Sequence, residues 1–288
     1  MAAPGHTARV AVVTDSTASL PPDVAERLGV RVVPLHVIVG DAVHEEATGI
    51  SPGEVAQALT EQAVVSTSRP APGVFAEAYA AAARAGATGV VSVHLSSQMS
   101  GTYDAAVVAS ETAPLRVRVV DSRCLGMGLG FAVVAAARAA AAGADVDTVF
   151  EVARDRAEAT QVLFYVDTLE HLRRGGRIGT ARALLGTALA VKPLLHLVDG
   201  RVEPLEKVRT SARALARLEE LAVARAGSGP VDVAVQHLAA AHRAHELAGR
   251  LRRRVPGLED VHVSEVGAAV GAHVGPGMLA VVVSPRPG

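Results

Sequence analysis

One stretch constrains the fold more than any other: Gly89 to Thr102, reading GVVSVHLSSQMSGT. An apolar run through Val90, Val91 and Val93 ends at His94 and Leu95. It then breaks into Ser96, Ser97, Gln98, Met99, Ser100, Gly101 and Thr102, and a helical pattern follows through Tyr103, Ala105, Ala106, Val107 and Val108. This reads as a buried parallel strand, a hydroxyl-rich loop and a helix. Open α/β sheets bind ligands beyond the carboxyl ends of their strands, beside helix N-termini that favour anions. Ser and Thr hydroxyls are weak nucleophiles but good hydrogen-bond donors. Ser100 or Thr102 would cap the helix. Four hydroxyls in seven residues exceed what one cap needs.

The alternation repeats along the first half. Arg9 to Asp15 reads as a first strand ending in Asp15, Ser16 and Thr17, and Val30 to Val39 as a second. Gly40 to Gly49 reads as a turn-rich excursion, and Ser51 caps a helix running to about Gln62. Thr67 and Ser68 precede Pro70 and Pro72, which bar a regular helix there. Val117 to Asp121 is a further strand, followed by an Ala-rich helix and another from about Asp147 to Ala159. Strands alternating with helices at this spacing predict a doubly wound, Rossmann-like parallel sheet over residues 1–160. The pattern changes over residues 161–288. Thr180 starts a helix, and Lys192 to Val198 and Arg201 to Val208 flank Asp199-Gly200, a hairpin signal. A second, mixed-sheet α/β domain is expected there.

Composition narrows the function. Formal net charge is −1, so nothing marks a nucleic-acid surface. A single cysteine, Cys124, rules out an intrachain disulfide and fits a reducing, cytoplasmic setting. Cys124 itself reads as a small buried residue rather than a catalytic thiol. No signal peptide is evident at the N-terminus, and the most apolar window, Phe131 to Ala142, is too short to span a bilayer. Neither a GxxxxGK(S/T) phosphate loop nor a GxSxG elbow is present. Gly126, Gly128 and Gly130 follow the wrong strand for a dinucleotide fingerprint. His242 and His245 share a helical face without the partners a metal needs, so neither metal nor cofactor is expected. His273 sits in a loop shaped by Gly271, Gly275, Pro276 and Gly277. It would donate a hydrogen bond to a carboxylate.

These residues together resemble the DegV-like family of bacterial fatty-acid-binding proteins. The likeness rests on Thr14-Asp15-Ser16-Thr17, Thr67-Ser68-Arg69-Pro70-Ala71, Ser96 to Thr102, Val120-Asp121-Ser122, Leu169 to Ile178, Lys192-Pro193-Leu194-Leu195 and His273 to Gly277. Ala71 departs from the Ser usual in the family. The resemblance implies a two-domain carrier, not an enzyme, holding one long-chain fatty acid in an interdomain tunnel. It implies that Thr67, Ser68, Ser96, Ser97, Ser100, Gly101 and His273 surround the carboxylate, with Ser97 preferred over Ser96 as the serine partner. It further implies presentation of the acyl chain to a separate fatty acid kinase in phospholipid synthesis, and at most transient contact with a membrane surface. Arg173, Arg174 and Arg177 flank Gly175-Gly176 and suit either partner docking or a gate over the tail. The competing reading is a Ser–His hydrolase or acyltransferase built on Ser97 and His273.

Overall fold

A computed structural model of the chain describes residues 9–46, 48–184 and 192–286. Its first seven strands are β1 (Val10–Asp15), β2 (Arg31–Val33), β3 (His36–Val39), β4 (Ala42–Glu45), β5 (Val65–Ser68), β6 (Gly89–His94) and β7 (Arg116–Asp121). The next six are β8 (Gln161–Tyr165), β9 (Lys192–Val198), β10 (Arg201–Val208), β11 (Val231–His237), β12 (Leu258–Glu265) and β13 (Leu279–Pro285). The helices of the first half are α1 (Pro22–Arg27), α2 (Pro52–Thr60), α3 (Pro72–Arg84), α4 (Thr102–Ser110), α5 (Met127–Ala141) and α6 (Val146–Ala159). Those of the second are α7 (Glu170–Arg174), α8 (Ser211–Ala226), α9 (Ala241–Arg254) and α10 (Ala268–Val274).

The strands sort into three sheets. The first is parallel, in the order β2-β1-β6-β7. Every residue of β6 is buried, the polar Ser92 and His94 with the valines, as a strand covered on both faces requires. Val91 and Val93 face α5 and α6 through Leu129, Ala132, Val133, Val149 and Ala153. Val90 faces α3 and α4 through Phe75, Tyr79, Ala105 and Ala106. The second sheet is mixed, in the order β10-β9-β8-β13-β11-β12, with only the β11–β12 pair parallel. Leu163, Tyr165, Val233, Val235 and Val281 point from one face into α8 and α9. The alternate residues, among them Val162, Phe164, Gln236 and Ala280, point from the other face toward the first half.

The third sheet, antiparallel β4-β3-β5, departs from expectation. The single strand expected over Val30 to Val39 is split at Pro34, which has no N–H to give a ladder. Residues before it join the parallel sheet as β2, and those after it begin the small sheet as β3. The excursion from Gly40 to Gly49 contains β4, and Thr67 and Ser68 close strand β5. His273 also differs: it lies in the last turn of helix α10, not in a loop. Ala268, Ala269 and Ala272 of α10 pack on Leu35, Val37, Ile50 and Val55 of the first half. The helix expected from Thr180 is a 3-10 turn over Gly179–Leu184, and its continuation lies outside the described residues.

Candidate functional site

A cleft of about 910 Å³, counting its mouth, opens where the three sheets meet. Its floor is the inner face of the mixed sheet, through Val162, Phe164, Leu197 and Ala280. One wall is Val266, two residues ahead of α10, together with Ala269, Val270, His273 and Val274, the i, i+1, i+4, i+5 stripe of one face of that helix. Leu35, Leu95, Met99, Leu125 and Met278 close the rest in apolar material. The polar lining includes Thr67, Ser68, Arg69, Ser100, Arg177 and His273. No Asp or Glu is among the described lining residues, so an entering anion meets no fixed negative charge on the wall.

Thr67 and His273 form the polar pair of this cleft, with Thr67 Oγ1 2.9 Å from His273 Nε2. Burial, reinforced by the nearby Arg177 charge, pushes the imidazole down to about 4, so it is neutral at pH 7. His273 Nδ1 is buried without a partner among the described residues and lies against Gly175, where a β-carbon would collide with it. A bare ring nitrogen is less costly to bury there than an unpaired N–H. The proton therefore belongs on Nε2, which donates to Thr67 Oγ1. That assignment leaves the Thr67 hydroxyl proton free for an incoming acceptor.

The other expected residues divide. Ser68 and Ser100 line the cleft, and Ser100 Oγ lies 2.9 Å from Thr102 Oγ1. Gly101 is the residue before α4; its carbonyl accepts from Arg69 at 3.2 Å, and any side chain there would meet that guanidinium. Ser96 is buried, and its hydroxyl donates to the Gly200 carbonyl at 2.8 Å and accepts from Gln98 N–H at 3.1 Å. Ser97 donates to Asp121 Oδ2 at 2.5 Å. Neither Ser96 nor Ser97 lines the cleft, and the Ser97–His273 pair of a hydrolase is not assembled, because each group is bonded elsewhere. Arg177 spans the mouth, donating to the Met99 carbonyl at 2.9 Å and the Gly175 carbonyl at 2.6 Å. Arg173 and Arg174 are exposed and both reach Glu170, at 2.6 and 2.7 Å. Cys124 is buried outside the cleft lining, and that burial pushes its thiol up to about 12, too high for a thiolate at neutral pH.

Sequence reasoning missed a buried network behind the cleft. Tyr79 O–H donates to Ser92 Oγ at 3.0 Å, and Ser92 Oγ lies 2.7 Å from His94 Nε2. His94 Nδ1 lies 2.9 Å from Asp15 Oδ2. Asp15 also accepts from the N–H groups of Thr17 at 3.1 Å and Leu95 at 3.0 Å, and from the Thr17 hydroxyl at 2.5 Å. The order Ser–His–Asp is that of a hydrolase triad, yet Ser92, His94 and Asp15 are each 0% exposed and no substrate reaches them. The network instead anchors two cleft-lining residues, Thr17 and Leu95. Its signal in the sequence was two polar residues, Ser92 and His94, on the same face of an otherwise apolar strand. Gln236 was also missed: it lines the cleft and accepts from Met127 N–H at 2.7 Å, satisfying the start of α5 from the opposite sheet.

Comparisons with known proteins agree with this architecture. The chain is 60% identical over 277 residues to a DegV domain-containing protein of Streptomyces coelicolor, covering 96% of this chain and 99% of that one. Among solved structures it superposes on a DegV family protein from Thermus thermophilus, described for its fatty acid binding, with a TM-score of 0.91 and 35% identity. That match covers 96% of this chain and 100% of the other. DegV from Bacillus subtilis, described as a fatty acid binding protein, matches with a TM-score of 0.89 and 29% identity, covering 97% of this chain and 100% of that one. The DegV family profile spans residues 9–286, and the chain belongs to the DegV family.

Proposed function

We propose that this protein is a carrier that holds one long-chain fatty acid in the cleft, its carboxylate at Thr67 and His273 and its tail along α10 and the floor of the mixed sheet. The carrying observation is the cleft itself: apolar walls around a neutral imidazole–hydroxyl pair, with no acidic side chain among the described lining residues. A buried carboxylate needs several donors, because leaving it unpaired is costly. Thr67 supplies one, and the hydroxyls of Ser68 and Ser100 and the unused N–H groups of Arg69 and Arg177 stand at the same cleft. Ser96 and Ser97 act one step back, by fixing the loop that carries Ser100. Each buried methylene contributes roughly 0.8 kcal/mol, so about fifteen give on the order of 12 kcal/mol gross, from which ordering costs subtract. The tail dominates affinity and the head fixes orientation.

On this reading the chain has two domains, residues 1–160 and 161–288, with the ligand between them. It works in the cytoplasm and presents the acyl carboxylate to a separate kinase for phospholipid synthesis, meeting membranes only transiently. Arg173 and Arg174, exposed beside the mouth, are the docking surface for that partner. Organic extraction and mass spectrometry of the purified protein test the carrier role. A stoichiometric long-chain fatty acid is expected. Its absence, with failure to load any of several added fatty acids, refutes the proposal.

A further inference from the structure

Helix α10 forms a cleft wall and carries His273, yet it lacks an N-cap side chain of its own, because Gly267 occupies that position. The orphan N–H of Ala269 is satisfied from far away in the chain, by Glu46 Oε1 at 2.8 Å. Glu46 follows β4 in the small sheet and is 3% exposed. Its other oxygen accepts from the Ser16 hydroxyl, and Ser16 Oγ accepts from Leu35 N–H at 2.9 Å. Gly267 packs so closely on Glu46 Oε1 that a β-carbon there would collide with it. Burial pushes the Glu46 carboxyl up, while the Ser16 and Ala269 hydrogen bonds pull it back. Either protonation state keeps an acceptor for Ala269 N–H.

We infer that Glu46 is a positioning residue for His273: it sets the axial placement of α10 against the small sheet, and thereby holds the imidazole at hydrogen-bond distance from Thr67. Both residues of that pair depend on this docking, since Thr67 stands on β5 of the same small sheet as the segment bearing Glu46. The inference rests on the proposed carboxylate site for its consequence in binding.

The test compares Glu46→Ala with Glu46→Gln in the full chain, using oleate as the probe. It reads oleate affinity together with the imidazole nitrogen shifts of His273 by NMR. Glu46→Ala should weaken oleate binding about tenfold and move the His273 shifts, through loss of the hydrogen bond that seats the helix. Glu46→Gln keeps an acceptor oxygen and should restore both to near wild type. Unchanged affinity and shifts in Glu46→Ala, or a Gln variant as impaired as Ala, overturns the inference. If Glu46→Ala does not fold, Gly267→Ala carries the test by displacing the carboxylate with a methyl group. The same tenfold loss and shift change are then expected, and unchanged values overturn the inference. If wild-type protein binds no fatty acid, the carrier reading fails, while the His273 shifts still decide the role of Glu46.

Discussion

Thr67→Val separates the head of the site from its tail. Thr67 lies opposite Val37 in the antiparallel β3–β5 register, so a β-branched valine keeps the backbone pairing and nearly the same volume. What changes is the hydroxyl. Among the described residues His273 Nε2 loses its only hydrogen-bond partner, and Nδ1 already has none. A buried polar group left unpaired costs about 1–3 kcal/mol, which lowers the melting temperature of the empty protein by several degrees. The bound carboxylate loses a charged hydrogen bond worth about 1.5–3 kcal/mol, a loss of roughly tenfold to a hundredfold in affinity. The apolar contacts along α10 are untouched, so binding weakens without disappearing. Calorimetric titration with oleate at pH 7.5, beside thermal melts of the empty protein, measures both effects. Thr67→Ser, which keeps the hydroxyl, should bind within a few-fold of wild type. A valine variant whose Kd stays within twofold of wild type would refute the placement of the carboxylate at this pair.

Three further outcomes follow from the same geometry. Gly175→Ala drives a methyl group into the buried His273 imidazole, so although Gly175 is itself an ordinary αR residue the variant should both weaken oleate binding and lose stability; equal affinity in a titration contradicts that packing. His273 takes its proton at about 4 in the folded protein against an ordinary 6.5, so the unfolded chain protonates first as pH falls. Stability should therefore decline from pH 6.5 to about 4 and level off below, by about 3 kcal/mol in all, and the melting curve of His273→Gln should lack that component. Asp15→Ala strands His94, Leu95 N–H and both donors of Thr17 in the core, and should cost more than about 3 kcal/mol by chemical denaturation. A loss below about 1 kcal/mol would mean that the network is not structural.

Much of the fold is legible because its signals are local. Ser51 and Glu54 form the capping box that starts α2, and Asp199-Gly200 turns the β9–β10 hairpin with φ of 46° and 78°. The valine-rich run of β6 announces a strand covered on both faces. The three-stranded sheet is not legible in the same way. Val30 to Val39 is apolar almost throughout, and which part joins which sheet is decided by partners elsewhere in the chain. Pro34 is the one local hint, and it marks a break in the ladder without saying where the chain goes next.

The site divides along the same line. Thr67, Ser68 and Ser100 are recognisable as donors near strand ends, but the direction a hydroxyl faces is set by distant groups. Ser96 is claimed by Gly200 and Ser97 by Asp121, so the loop presents Ser100 to the cleft instead. The glycines around His273 suggest a loop in the sequence, whereas the structure places it in helix α10. Those glycines serve close approaches within and after a helix: Gly271 admits Leu238, and Gly275 admits the ring of His171. The period that reveals the helix lies in Ala269, Val270, His273 and Val274. Its meaning depends on the small sheet and α2 beside it, where Leu35, Val37, Ile50 and Val55 await the alanines of α10. A hydroxyl and an imidazole 206 residues apart become one site only when that late helix closes the early core. The packing that completes the hydrophobic core of the small sheet is thus the same packing that assembles the head of the cleft, and a change that loosens one must loosen the other.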